Sequence, residues 1–407
     1  MNCRYIYNSN IDPSQNEMEV VERKGIGHPD SVADIIAESF SNKYAKYCLE
    51  HFGIVLNHWF DKVTISGGEA EVSPGHLKVL RKPKVYLFGK ITHIVGDNIP
   101  LNAMFKETIR DVFFKIFGIE EDLLPEIHID VNSGVGADHV KDFYTYDNIK
   151  KKTELLSNDT VFCTGYFSYS KLENYIIDLE NYINSIEFKK EFPQTGFDVK
   201  ILGRRMDNSI SATICIPFIA RKINSWEEYR ESKLTIHTKL IEFSKSYKWD
   251  SINIQLNTKD SENKGYLTVF GTALDKGDFG AVGRGNKYSG FISLNRGETQ
   301  EAYSGKNPVI HSGKLYTVIA HRIARIMYEK TSCVVNVSIA INNGTSLFNP
   351  EDVWIRFSNN AQVNLPNSVI NEIIHSEIKH IPDLSMNIIS IDPVSEFRYR
   401  TILAKVI

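Results

Sequence analysis

The stretch VVERKGIGHPDSVAD, residues 20–34, changes its pattern at Pro29. Two glycines, Gly25 and Gly27, precede it, and beyond it the apolar residues Val32, Ile36, Phe40 and Tyr44 recur at every fourth position. Proline's fixed φ suits the first helical position, and Asp30 complements the positive end of the helix dipole. The i+4 stacking predicts a helix running to Gly53. Glycines at 25 and 27 would let backbone approach a ligand. His28 and Asp30 would stand where a helix leaves N–H groups unpaired and favours anions. A carboxylate beside an anion site calls for a cation between them, and Mg²⁺ carried with phosphate supplies one. An ordinary helix cap would use the same residues, and the local sequence leaves that choice open.

Outward from this helix, short strands alternate with single helices. Residues 54–92 are strand-like, with VTISG and KVYLFGKIT as half-buried runs broken by Gly67-Gly68 and Ser73-Pro74-Gly75. A second helix is predicted from Leu101 to Phe117, stopping at Gly118. Strands follow at Ile127 to Asp130 and Val161 to Phe167, then a helix from Lys171 to Lys189, a strand pair within Val199 to Phe218, and a helix from Trp226 to Tyr247. The last third offers strands at Ser251 to Leu256 and Gly265 to Phe270, a glycine-rich loop, a helix from Gly313 to Glu329 and a strand from Cys333 to Ile341. Strand pairs around single helices predict an α+β fold with sheets covered by helices on one side. Cuts near 120 and 264 would give domains 1–120, 121–264 and 265–407.

At 407 residues two or three compact units are expected. Hydrophobic content of 42% and charged content of 24% are ordinary for a globular chain. A net charge of −3 argues against a nucleic-acid binder, so any polyanion must meet locally gathered cations. The start MNCRYIYNSN lacks the apolar core of a signal peptide, and the most apolar short stretch, Ile214 to Ala220, contains Pro217 and is too short to span a membrane. Cysteines 3, 48, 163, 215 and 333 are odd in number and never spaced C-x-x-C, which fits a reducing cytosol better than a disulfide framework or zinc site.

Two further segments are dense in glycine and charge. Gly277-Asp-Phe-Gly-Ala-Val-Gly-Arg-Gly-Asn-Lys287 suits phosphate capture by backbone and side chains, or a plain hairpin loop. Its spacing fails the dinucleotide fingerprint. Ser304-Gly-Lys-Asn-Pro-Val-Ile-His-Ser-Gly-Lys-Leu-Tyr316 is not a P-loop, because Gln300 stands where the first glycine belongs and Asn307 where Ser or Thr should be. Lys306 and Lys314 could still clamp a long phosphate chain, unless the segment is merely solvated. Asn158-Asp159-Thr160 suits a turn before a strand. Asp198 and Lys200 alternate on a strand, so both face one side.

Taken together, these segments resemble the methionine adenosyltransferase (S-adenosylmethionine synthetase) family in its archaeal form. The resemblance rests on VVERKGIGHPDSVAD, NDTVFCTGYFSYSKLE (158–173), FKKEFPQTGFDVKILGRR (188–205), GTALDKGDFGAVGRGNKYSGFI (271–292) and SGKNPVIHSGKLY. It implies attack of the L-methionine sulfur on C5′ of ATP. Triphosphate leaves and is cleaved to pyrophosphate and phosphate. It also implies that His28 lies by the C5′ oxygen, that Lys200, Arg284 and Lys306 bind phosphates, and that Asp30 and Asp278 hold two Mg²⁺ per site. Asp159 would take the methionine ammonium, Asp198 the ribose, and Lys314 the far end of the phosphates; K⁺ is commonly used, with Asp61 as its nearby acid. The implied architecture is three similar α/β-sandwich-like domains about a pseudo-threefold axis. In a cytoplasmic homodimer or dimer of dimers, the sheets of two subunits would face each other around shared active sites.

The resemblance breaks in three places. EAEVSPGHLKVLRKPKVYLF (69–88), with Lys78, Arg81, Lys82 and Lys84, stands where a glycine-rich stretch is usual. After Gly134-Val-Gly136, Asp138 is displaced by one position, and Ile310 replaces a usual Asn before His311. These departures leave open a specialised relative that adenosylates another amino acid or only cleaves triphosphate, and a non-catalytic regulatory paralogue.

Overall fold

The computed structural model describes residues 1–403 except 93, 96, 120, 133–153 and 359–364. Asp138 lies outside the described residues. Three mixed sheets carry the fold, each enclosing its own apolar cluster against helices. The first orders β16 (Gly280–Ala281), β3 (His58–Ser66), β6 (Lys84–Ile91) and β9 (Glu126–Asn132). The second orders β14 (Ser251–Leu256), β12 (Ser209–Cys215), β11 (Lys200–Met206), β2 (Met18–Lys24) and β17 (Ile292–Ser293). The third orders β1 (Asn2–Ser9), β19 (Asp352–Ser358), β18 (Val335–Ile341) and β10 (Val161–Phe167). Short two-stranded ribbons pair β4 (Glu69–Ser73) with β5 (His76–Arg81), β7 (Ile94–Val95) with β8 (Asp97–Asn98), and β13 (Phe218–Ile219) with β15 (Leu267–Thr268).

One succession recurs. Helix α1 (Pro29–Phe52), the antiparallel pair β3–β6, helix α2 (Leu101–Phe117) and the parallel strand β9 build the first sheet. Helix α3 (Lys171–Ile183), the pair β11–β12, helix α5 (Trp226–Lys245) and parallel β14 build the second. In the third, helix α6 (Ser312–Thr331) precedes the pair β18–β19, and the N-terminal strand β1 takes the parallel edge. The sheets therefore cross the boundaries near 120 and 264: β1 pairs with β19, and β2 with β11. The α+β expectation holds. Among the described residues, no helix is long and apolar enough to cross a membrane.

Local signals placed many ends. Helix α1 begins at Pro29 and closes on Gly53 at φ 71, and α2 closes on Gly118 at φ 64. The helix expected over residues 171–189 is instead two, α3 and α4 (Ile186–Glu191). Ser185 breaks it by accepting the Phe188 N–H at 3.1 Å as a new cap. The strand expected over 265–270 shortens to Leu267–Thr268. Gly25 and Gly27 approach protein backbone rather than a ligand. Gly25 N–H donates to Val199 O at 2.6 Å and Gly27 N–H to Phe197 O at 3.1 Å, and a Cβ on Gly27 would lie 2.7 Å from the Phe197 carbonyl carbon.

Helix α1 is buried nearly all round. Val32, Ile36, Phe40 and Tyr44 are fully enclosed, and Phe40 packs its ring 4.4 Å from Phe60 and 4.9 Å from Phe105. Phe40→Ala should lower unfolding stability by about 3–5 kcal/mol, the usual cost of so large a cavity. Urea denaturation checks this, and a loss below about 1 kcal/mol would mean that α1 is not the centre of its core.

Candidate active site

A line of buried polar side chains runs up α1. Asp30, Asp34 and Glu38 follow at i+4 steps, with Ser41 beyond, and none is more than 7% exposed. Their partners belong to the two glycine-rich segments. Asp30 Oδ1 accepts the Ala281 N–H at 3.0 Å, and Asp34 Oδ1 the Gly283 N–H at 2.9 Å. Glu38 Oε2 accepts the Gly305 N–H at 2.9 Å, and Ser41 Oγ donates to Lys306 O at 3.2 Å. Glycine is required for this fit. A Cβ on Gly280 would stand 2.1 Å from Pro29 O, and one on Gly305 2.6 Å from the Phe60 carbonyl.

Both segments also pair with the outer edge of β3. Gly280 and Ala281 pair with Ile65 and Thr64, while Gly305 O accepts the Phe60 N–H at 2.8 Å and Lys306 bridges to Trp59. Residues 60 and 65 are about 17 Å apart along a strand. Two cavities lie at these two ends, and they share no lining residue.

The first cavity, about 500 Å³, is lined by His28, Asp198, Lys200, Tyr266 and Asp278, with Lys259 and Lys264 adding positive charge. Asp198 and Lys200 do face one side. Asp198 Oδ2 already accepts from Ala273 N at 2.8 Å and Tyr266 Oη at 3.1 Å, and burial pushes its carboxyl up to about 7. Lys200 Nζ sits 3.3 Å from Glu22. His28 caps α1, its Nδ1 accepting the Asp30 N–H at 3.2 Å, so the neutral ring carries its proton on Nε2. Burial drives its pKa down to about 3, against the pull of Asp30 and with the push of Lys24 and Lys200.

The second cavity, about 590 Å³, is lined by Trp59, Asp61, Asp159, Glu301, Lys306 and His311 among others. Lys306 Nζ lies 2.6 Å from Glu301 and 3.1 Å from Asp61. Burial and the charge of Lys306 hold His311 well below the usual imidazole range. Ligand atoms of Asp159, Glu301 and His311 lie within 4.8 Å of one another, a grouping able to hold a metal ion. Sequence reasoning missed Glu301, Trp59, Tyr266 and the anchoring acids Asp34 and Glu38. The i+4 spacing of those two acids from Asp30 was the available signal.

Of the remaining candidates, Asp30 lies beside His28, its Oδ2 2.9 Å from Lys24 Nζ. Arg284 is exposed and lines neither cavity. Lys314 is fully buried against Glu38 rather than open to a substrate. Asp61 is engaged by the ammonium groups of both Lys306 and Lys62. The unusual 69–88 stretch forms the β4–β5 hairpin and the first part of β6, and the hairpin docks by the Gly75 N–H on Ala220 O at 3.0 Å and by Lys276 on Ala70 O at 2.8 Å. Lys78 and Arg81 are exposed, Lys84 at the start of β6 pairs with Glu126 at 3.2 Å, and none of Lys78, Arg81, Lys82 and Lys84 lines either cavity.

The family model described as S-adenosylmethionine synthetase (AdoMet synthetase) matches residues 6–392. This chain belongs to the S-adenosylmethionine synthetase family. It is 33% identical over 392 residues to the S-adenosylmethionine synthase of Thermoplasma volcanium, covering 93% of this chain and 95% of that one. It is 35% identical over 328 residues to that of Pyrococcus furiosus, covering 80% and 81%. The solved structure of an unusual S-adenosylmethionine synthetase from Campylobacter jejuni shares the fold, with a TM-score of 0.58 at 14% identity over 95% of this chain and 99% of that one.

Since its pKa lies far below neutrality, His28 should remain uncharged at every pH above about 4. Its imidazole resonances, followed by NMR, should hold still between pH 5 and 8. A titration midpoint near 6.5 would show a ring exposed to water.

Proposed function

We propose that this chain is a magnesium-dependent methionine adenosyltransferase, making S-adenosylmethionine from ATP and L-methionine. The observation that carries this reading is the gathering of His28, Asp198, Lys200 and Asp278 round one cavity, from three separate stretches of sequence. A thioether sulfur is a neutral nucleophile and needs no general base. The barrier lies in the charge that builds on the departing triphosphate, so donors and cations set in place beforehand do most of the work.

Nε2–H of neutral His28 would donate to the C5′ oxygen as its bond to carbon breaks. Lys200 and Lys306 would share the phosphate charge, and Arg284, exposed outside both cavities, would have to turn inward to join them. Asp198 keeps Oδ1 for a ribose hydroxyl, and Asp159, beside Trp59 and Asn158, would take the methionine ammonium. Asp278 offers hard carboxylate oxygens in the cavity it shares with His28, and Asp30, whose oxygens rest on the Ala281 N–H and the Lys24 ammonium, would have to exchange Lys24 for the second ion. Such donors suit Mg²⁺, which usually takes one or two carboxylates together with substrate phosphates. The magnesium would supply charge neutralisation on the triphosphate. Asp61, already held by two ammonium groups, does not suit a K⁺ ion.

His28 and Lys306 belong to different cavities, so a complete site would join one cavity of each subunit to the other cavity of its partner. Apolar side chains on the open sheet faces support such a face-to-face homodimer: Phe88, Phe162, Met206 and Trp354 are 39–55% exposed. The threefold recurrence of the helix–sheet succession supports three similar units about a pseudo-threefold axis.

Incubation with ATP, Mg²⁺ and methionine should yield S-adenosylmethionine, pyrophosphate and phosphate by mass spectrometry. Formation of triphosphate cleavage products alone would instead favour a specialised relative. Lys306→Ala should lower kcat by about 10²–10³-fold, as loss of a charge-stabilising contact does, with a smaller change in the methionine KM. An unchanged kcat contradicts the assignment. Light scattering should report a dimer, and an active monomer would contradict the shared site.

A further inference from the structure

We propose that the ammonium of Lys314 is a built-in monovalent cation, filling an oxygen cage between α1 and α6 so that this chain needs no K⁺ there. Three oxygens and an aromatic ring surround the ammonium. Lys314 Nζ lies 2.5 and 2.6 Å from the two Glu38 carboxylate oxygens and 3.1 Å from Lys306 O. The Tyr303 ring closes another side, its centroid 4.6 Å away. Both charged side chains are wholly removed from water.

Two carboxylate oxygens, a carbonyl oxygen and an aromatic face are the surroundings that a desolvated K⁺ or ammonium ion accepts. A buried charge pair is weak support for stability in itself, so this one calls for a task. Its position supplies one. Glu38 also takes the Gly305 N–H, and Lys306 O takes the Ser41 hydroxyl as well as Lys314. The cage therefore fixes the peptide units that aim the Lys306 side chain at Asp61 and Glu301 in the second cavity. Lys314 is thus a positioning residue for Lys306. Its side chain is buried and lines neither cavity.

The test compares the full-length protein with Lys314→Ala and Lys314→Met in tetramethylammonium, potassium and ammonium chloride at equal ionic strength. The rate arm rests on the adenosyltransferase reading, whereas the thermal arm does not, so either can fail alone. The unaltered chain should keep the same Tm and the same rate in all three salts. Lys314→Ala should lose Tm and roughly ten- to hundredfold in kcat in tetramethylammonium, the scale of a misplacement of order 1 Å. Ammonium or potassium should restore both, because the vacated space admits the ion. Lys314→Met fills that space with an uncharged chain and should not be restored. If Lys314→Ala folds only in ammonium or potassium, that is the same support in a stronger form. The proposal is overturned if the unaltered chain gains Tm from potassium, if Lys314→Ala is unimpaired in tetramethylammonium, or if neither cation restores its Tm or its fold.

Discussion

Three buried carboxylates on one helix organise this molecule. Asp30, Asp34 and Glu38 span about 12 Å of α1 at the helical rise, and each would be costly to bury without a donor. The donors come from far along the chain: the backbone of Ala281, Gly283 and Gly305, and the ammonium groups of Lys24 and Lys314. Satisfying the acids therefore locks two glycine-rich segments onto the helix at fixed heights. The apolar residues of α1 would pack as well with a neutral helix. The acids determine where the loops sit.

That arrangement explains why the chemistry divides. The segment near residue 280 docks at one end of β3 and the segment near 305 at the other, so their charged side chains open into separate cavities. His28, Asp198 and Lys200 share the first with Asp278, while Lys306 and Asp159 share the second. Glycine serves in both places by allowing backbone to touch backbone, at Pro29 and at Phe60. In this chain the glycines that look like ligand contacts are, at positions 25, 27, 280 and 305, contacts within the protein.

Much of this was legible before the structure. Helix α1 from Pro29 to its glycine stop, α2, β10 and β14 carry strong local signals of period, capping and turn chemistry, and they form where expected. The second-sheet strand β2 and the third-sheet strand β1 were not legible, because each pairs with residues more than 150 positions away. Among the site residues, charge was visible and counter-charge was not. Lys314 looked like a phosphate clamp until Glu38 was found against it, and Asp61 looked like a metal ligand until Lys306 was. A row of acids at i+4 spacing on a helix is most often a solvated face; only the surrounding loops turn it into an anchor. The basic hairpin shows the converse. Lys78, Arg81 and Lys82 stand where the resemblance has a glycine-rich stretch, and the hairpin's docking contacts are with residues 220 and 276.

If each active site joins the two cavities across two subunits, defects in them must complement. A mixture of His28→Ala and Lys306→Ala chains, unfolded together and refolded, pairs at random into homodimers and heterodimers. In a heterodimer with twofold symmetry of contacts, one site collects both substitutions and the other collects neither. The account predicts that two nearly inactive proteins regain about a quarter of the unaltered specific activity on mixing. Activity that stays at the level of the separate variants would contradict it, because His28 and Lys306 would then serve one site within a single chain.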